Sequence, residues 1–129
     1  MEWNFICAND YVEICDWWRD WDFPIVHPDF LPPLGVIISN NGVKTYASWL
    51  YLTGTKIGLM EFIVSNKKAP ICYKRGGLEY MTEVISSIAK KEGVEKIFHY
   101  TNEPMVEKRL LKSGFSVGDE ETKTYIKTI

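Results

Sequence analysis

The stretch GVIISNNGVKTYASWLYLTGTKIGLMEFIVS, residues 35–65, decides the fold. Its three apolar runs, 35–39, 43–53 and 57–65, are rich in β-branched and aromatic residues and read as strands. Asn40-Asn41-Gly42 and Thr53-Gly54-Thr55 between them supply residues that tolerate the positive φ of tight hairpin turns. The runs are apolar on both faces, so the meander needs cover on both sides, and helices are the natural cover.

Outward from the meander, that cover is visible on each side. Residues 2–8 suit a first strand, after which Asn9 or Asp10 can cap a helix whose Tyr11, Ile14, Cys15, Trp18 and Trp21 fall on one face. Four prolines within residues 23–33 then exclude a long regular element, leaving an ordered surface loop. Beyond the meander, Leu78, Met81, Val84, Ile85 and Ile88 trace a helical stripe that closes at Gly93. Residues 95–100 follow as a strand, and Thr101 or Asn102 can cap a helix with Pro104 in its first turn and Val106, Leu110 and Leu111 facing inward. Gly114 stops that helix, and residues 115–118 and 122–129 read as a closing hairpin turned by Asp119-Glu120-Glu121. The expected class is α/β (α+β), a single domain over residues 1–129 in the order β-α-βββ-α-β-α-ββ, without repeats.

Composition narrows the function classes. With 129 residues, 46% hydrophobic and a net charge of -2, the chain is long and apolar enough for one soluble domain with a core. No apolar run approaches the roughly 18 residues of a membrane span. The start Met1-Glu2-Trp3-Asn4 lacks a secretory signal's basic residues, so a cytoplasmic protein with no membrane partner is expected. Cys7, Cys15 and Cys72 fit neither a disulfide framework nor a zinc site and read as reduced core thiols. His27 and His99 lack ligand partners at helical spacing, so no metal is expected. The acidic balance also argues against nucleic-acid binding, which draws on clustered Lys and Arg.

The charge is unevenly distributed. Up to Leu34 there are seven acids against Arg19 alone, whereas the remainder has ten acids and fourteen bases. Either the acids solvate a helix face, or they face a cationic substrate while the basic remainder faces an anion.

The meander, the helix, strand and helix after it, and the closing hairpin together resemble the GNAT superfamily of acyl-CoA N-acyltransferases over nearly the whole chain. Glu61-Phe62-Ile63-Val64, Gly76-Gly77 before the long helix, and Asn102 through Gly114-Phe115 carry the local likeness. Short GNAT-like reading frames of bacteriophage genomes are similar too. The resemblance implies an N-acetyltransferase that uses acetyl-CoA as cosubstrate and acts on an amine, either a small molecule or a protein lysine. It assigns Lys74, Arg75, Gly76, Gly77 and Leu78 to the CoA pyrophosphate at a helix start, where unpaired N–H groups favour anions. It assigns Ile63 and Val64 to backbone pairing with the pantetheine arm, and carries Asn102 with the cofactor-binding set.

Catalytic roles also follow from the resemblance. Glu61 stands where the family carries a carboxylate that accepts the amine proton. On the residues alone, a Glu among apolar neighbours either is buried with a raised pKa or lies beside the sheet in solvent or an ion pair. Leu110 stands where the family carries its usual acid, a Tyr, leaving Tyr100, water or no group at all to protonate the thiolate; His99 is a further candidate. Tyr73 replaces the Arg or Gln of the glycine-rich motif, and Leu78 its final small residue. The alternative function is a GNAT-like binding or assembly protein without catalysis.

Overall fold

The computed structural model describes all 129 residues. In chain order the elements are β1 Glu2–Phe5, α1 Ala8–Asp20, a 3-10 turn Pro28–Phe30, β2 Leu34–Asn40, β3 Val43–Leu52, β4 Ile57–Ser65, α2 Ile71–Lys74, α3 Gly77–Lys91, β5 Lys96–Phe98 and α4 Pro104–Lys112. The five strands form one sheet in sequence order, antiparallel through β4 and parallel between β4 and β5. No helix is long and apolar enough to cross a membrane.

The meander folds as its pattern demands. Asn41 and Gly42 both take positive φ, 51° and 75°, the primed turn whose twist matches the flanking strands. Alternate residues then enter two cores: Val36, Ile38, Leu50 and Met60 pack under α3, while Ile37, Ala47, Trp49 and Val64 pack under α1. On the α1 side Trp18 stacks on Trp49 with centroids 5.7 Å apart. Trp17 is buried as well, outside the expected stripe, because a helix lying flat on a sheet buries a wider arc than one row of side chains. Trp21, at the end of the stripe, is partly exposed and donates its Nε1–H to the Ser65 carbonyl at 2.9 Å.

Several expectations are corrected. The cap of α1 is Cys7, and Asp10 sits three residues on, accepting the Cys7 N–H at 3.0 Å as half of a capping box. Cys7 and Cys72 are therefore exposed, one at a helix start and one on the short α2, and only Cys15 is a core thiol. Glu103 caps α4; Thr101 Oγ1 accepts its N–H at 3.1 Å, and Asn102 does not cap. Leu111 is half exposed rather than inward.

The largest departure is at the C-terminus. Residues 113–129 form no strand, and β5, only three residues long, is the sheet's outer edge. Residues 122–129 alternate in polarity but offer no apolar face: Lys123, Tyr125, Lys127 and Ile129 would share one side, Thr122, Thr124, Ile126 and Thr128 the other. A strand with no side to bury is not held in register. Tyr125 and Ile126 accordingly remain 87% exposed.

Candidate active site

Glu61 lies on β4 directly opposite Trp49, on the sheet face that carries α1, but beyond the cover of that helix. Between the pairs Ala47–Val64 and Trp49–Glu61, the single residue Ser48 opposes both Phe62 and Ile63, which is a β-bulge. Ser48 Oγ ties the bulge by donating to the Glu61 carbonyl at 2.8 Å. Phe62 takes φ 57° there, a left-handed conformation that is rare for a bulky residue. Burial pushes the Glu61 carboxyl up to about 7, against a smaller opposing pull from the Tyr100 backbone N–H. Of the two readings of Glu61, the structure selects the half-buried one: no cation pairs with it.

At the same level β4 and β5 part. Their register runs Ile57–Lys96, Gly58–Ile97 and Leu59–Phe98 and ends there. His99 Nδ1 bonds the Met60 carbonyl in place of the next ladder bond. Burial holds the His99 imidazole below its usual range, and because the Met60 carbonyl can only accept, Nδ1 carries the proton in this bond. Tyr100 follows, 60% exposed, on the Glu61 side of the divergence. The fold thus brings the Tyr100 backbone to the Glu61 carboxyl. Ile63 packs toward the α3 core and Val64 into the α1 core.

From Glu61 to Ser65 the strand covers about 13 Å at its usual rise. Ser65 pairs with Tyr46, whose ring packs against Gly77 at the start of α3. The helix start therefore lies at the far end of the same strand. Gly76 is its left-handed cap, φ 75°, and a Cβ on Gly77 would sit 2.7 Å from the Tyr46 ring. Each glycine thus has a reason of its own in the fold. Gly77→Ala is expected to destabilise by about 1–3 kcal/mol in urea unfolding, since overpacking a buried ring outweighs Ala's better helix propensity. Lys74 is half-buried, Arg75 exposed and Leu78 buried in the core. In the first turn Glu79 stands 3.8 Å from Arg109, with its Oε2 unpartnered.

Two other expected site positions lie apart. Leu110 is buried in the α3 core, and Asn102 is exposed on the loop before α4, with no hydrogen bond from its side chain. A groove of about 1020 Å³ borders His99 and Tyr100 and runs along the open β5 edge, where the expected closing strands would have lain.

The acidic segment is mostly spoken for. Lys44 holds Asp10 at 2.8 Å and Glu13 at 2.9 Å; Arg19 holds Asp16 at 2.8 Å; Lys68 approaches Asp20 at 3.7 Å. Sequence reading missed Phe62 and Tyr51 at this site. Nothing in a run of apolar residues marks which one a bulge will turn outward.

No family model and no curated protein matches the sequence. Solved structures do match it over their full length. A point variant of TTHA1254 from Thermus thermophilus superposes with a TM-score of 0.74 at 12% identity, covering 100% of this chain and 99% of that one. An acetyltransferase of Trypanosoma brucei gives 0.69 at 13% identity, covering 97% and 99%. The aminoglycoside acetyltransferase meta-AAC0020, from an uncultured soil metagenomic sample and crystallised with sisomicin, gives 0.66 at 7% identity, covering 99% and 96%. A mostly antiparallel five-stranded sheet flanked by helices, shared end to end with these proteins, is a GNAT-like acetyltransferase fold.

Proposed function

We propose that this chain is an acyl-CoA-dependent N-acetyltransferase that moves an acetyl group onto an amine, with Glu61 as the proton acceptor. The observation that carries the reading is the unpaired, half-buried Glu61 carboxyl, pushed up to about 7 beside the bulge where β4 and β5 part. A base near neutrality is half-deprotonated at working pH and still strong enough to take a proton. In the reaction the amine nitrogen attacks the thioester carbonyl carbon, the C–N bond forms, the amine proton passes to Glu61, and the C–S bond breaks. Water or Tyr100 returns a proton to the thiolate. The aminoglycoside acetyltransferase among the structural neighbours supports an amine as acceptor.

The chain's residues suit acetyl-CoA as cosubstrate in three respects. The open edge of β4 at Ile63 and Val64 has backbone groups for the pantetheine amides. The first turn of α3 has N–H groups without helical partners for the pyrophosphate, and Lys74 and Arg75 adjoin it. Asn102, apart from this line, adds nothing to the fit. Acetyl-CoA at 100 times its dissociation constant is expected to stabilise the chain by about 2.7 kcal/mol, read as a raised melting temperature. Charge reversal at Lys74 and Arg75 together should weaken binding by about 1–3 kcal/mol. Unchanged affinity would remove both from the site.

A second reading, a GNAT-like binding module without catalysis, is favoured by one observation. Leu110, where the resembling family has its acid, is sealed in the core. Acetyl-CoA binding with no transfer to any amine would select it.

A further inference from the structure

The sheet face beside Glu61 has an uncovered strip. Directly paired residues share a face, so Tyr51, Leu59 and Phe98 form one row across β3, β4 and β5, and Trp49 and Glu61 begin the next. The α1 helix stops short of this strip: its core ends at Trp49, with Tyr51 at the margin. Phe98 is 42% exposed, Tyr100 60% and Phe62 40%. The Glu61 charge reaches the Tyr51 phenol and Phe62 follows Glu61 in the chain, so exposed aromatic surface adjoins the carboxyl, which an unused sheet face does not usually show. Lys96 shares the face, but at the Ile57 end, four residues along from Glu61.

Phe62 is the telling member. A phenyl side chain held in left-handed backbone in mid-strand is strained, and such strain persists where the surroundings enforce it. The bulge places its ring 6.3 Å from that of Tyr51, at 57°. Tyr51 is itself fixed, because its hydroxyl donates to the Phe30 carbonyl on the proline-flanked 3-10 turn. Two rings are thereby set beside Glu61, which suits a flat apolar body with a cationic or neutral nitrogen at its end. The alternative attraction, a negative field for a polycation, is weak because Lys44, Arg19 and Lys68 already engage most of the acidic segment.

We propose that the acceptor is a primary amine on an aromatic body, an arylalkylamine, with its ring on Phe62 and Tyr51 and its nitrogen at Glu61. The chemistry rests on the acyltransfer reading; the binding site does not.

The test is binding by ligand-observed NMR of phenethylamine and of spermidine, with acetyl transfer to each measured alongside. Phenethylamine is expected to bind about tenfold more tightly than spermidine. In Phe62→Gly, which removes the ring and suits φ 57°, that preference should collapse toward parity while the protein stays folded. In Phe62→Tyr it should survive. Equal or tighter binding of spermidine, or an unchanged preference in Phe62→Gly, would overturn the proposal. So would a dimer in sedimentation that Phe62→Gly dissociates, since the strip would then be an interface between copies. Phenethylamine binding without transfer would overturn the enzymatic reading and leave the arylalkylamine site standing.

Discussion

Glu61→Gln is expected to lower kcat for acetyl transfer by about a hundredfold or more while acetyl-CoA affinity stays near wild type, because amide for carboxylate removes the proton acceptor and keeps the shape. With the carboxyl pushed up to about 7, the wild-type rate should climb as pH rises through that value and then level, and the variant should lose the climb. Stability moves the opposite way. The folded carboxyl titrates above its unfolded value of 4.5, so the protonated acid is what the fold favours. That contribution is complete below about pH 4.5 and is lost as pH rises through about 7. Melting curves of wild type and variant across this range should therefore diverge at the alkaline end, with Gln the more stable. Wild-type rates in the variant at every pH would eliminate Glu61 as the base.

The second large effect is on folding. Lys44→Met should destabilise the chain by about 2–3 kcal/mol, somewhat under the cost of breaking a fully buried pair, since the Lys44 side chain is 39% exposed. The loss leaves Asp10, only 7% exposed, without its cation. Burial alone would raise the Asp10 carboxyl, but the Cys7 N–H and Lys44 outweigh it and hold it below its usual range. The stability it supplies is therefore present above pH 3.8 and lost as pH falls through its lower folded value. Lys44→Met should weaken this acid dependence, and adding Asp10→Asn should recover part of the loss in urea unfolding. A double variant no more stable than Lys44→Met would mean that the unpaired charge is not the cause.

Both predictions depend on features that differ in how visible they were. The strand 57–65 was legible to the residue, because a run of apolar and β-branched residues between two turns has few other ways to fold. The long helix over Leu78 to Ile88 was legible from its period, and so was its closing glycine, Gly93, which takes the expected left-handed conformation at φ 81°. Trp17 was not, since helical periodicity gives a direction but not how wide an arc the opposite surface will cover. The ion pairs joining Lys44 to Asp10 and Glu13 were invisible as well: residues 34 and 31 apart in sequence meet only when β3 and α1 pack.

By itself, then, the sequence determined the meander and the helices on its two faces, because period and turn chemistry are local properties; the likeness to the GNAT superfamily, and Glu61 as the base it implies, came from the order of those elements and the local motifs. Tertiary structure decided the rest. It left residues 122–129 off the sheet for want of a face to bury, and it engaged most of the acidic segment in ion pairs. It also inserted one residue into β4 opposite Ser48, which turned Phe62 outward beside Glu61. Bulge, ion pair and edge each depend on which partner a residue meets across the fold, and that meeting is set by packing, which no local pattern encodes.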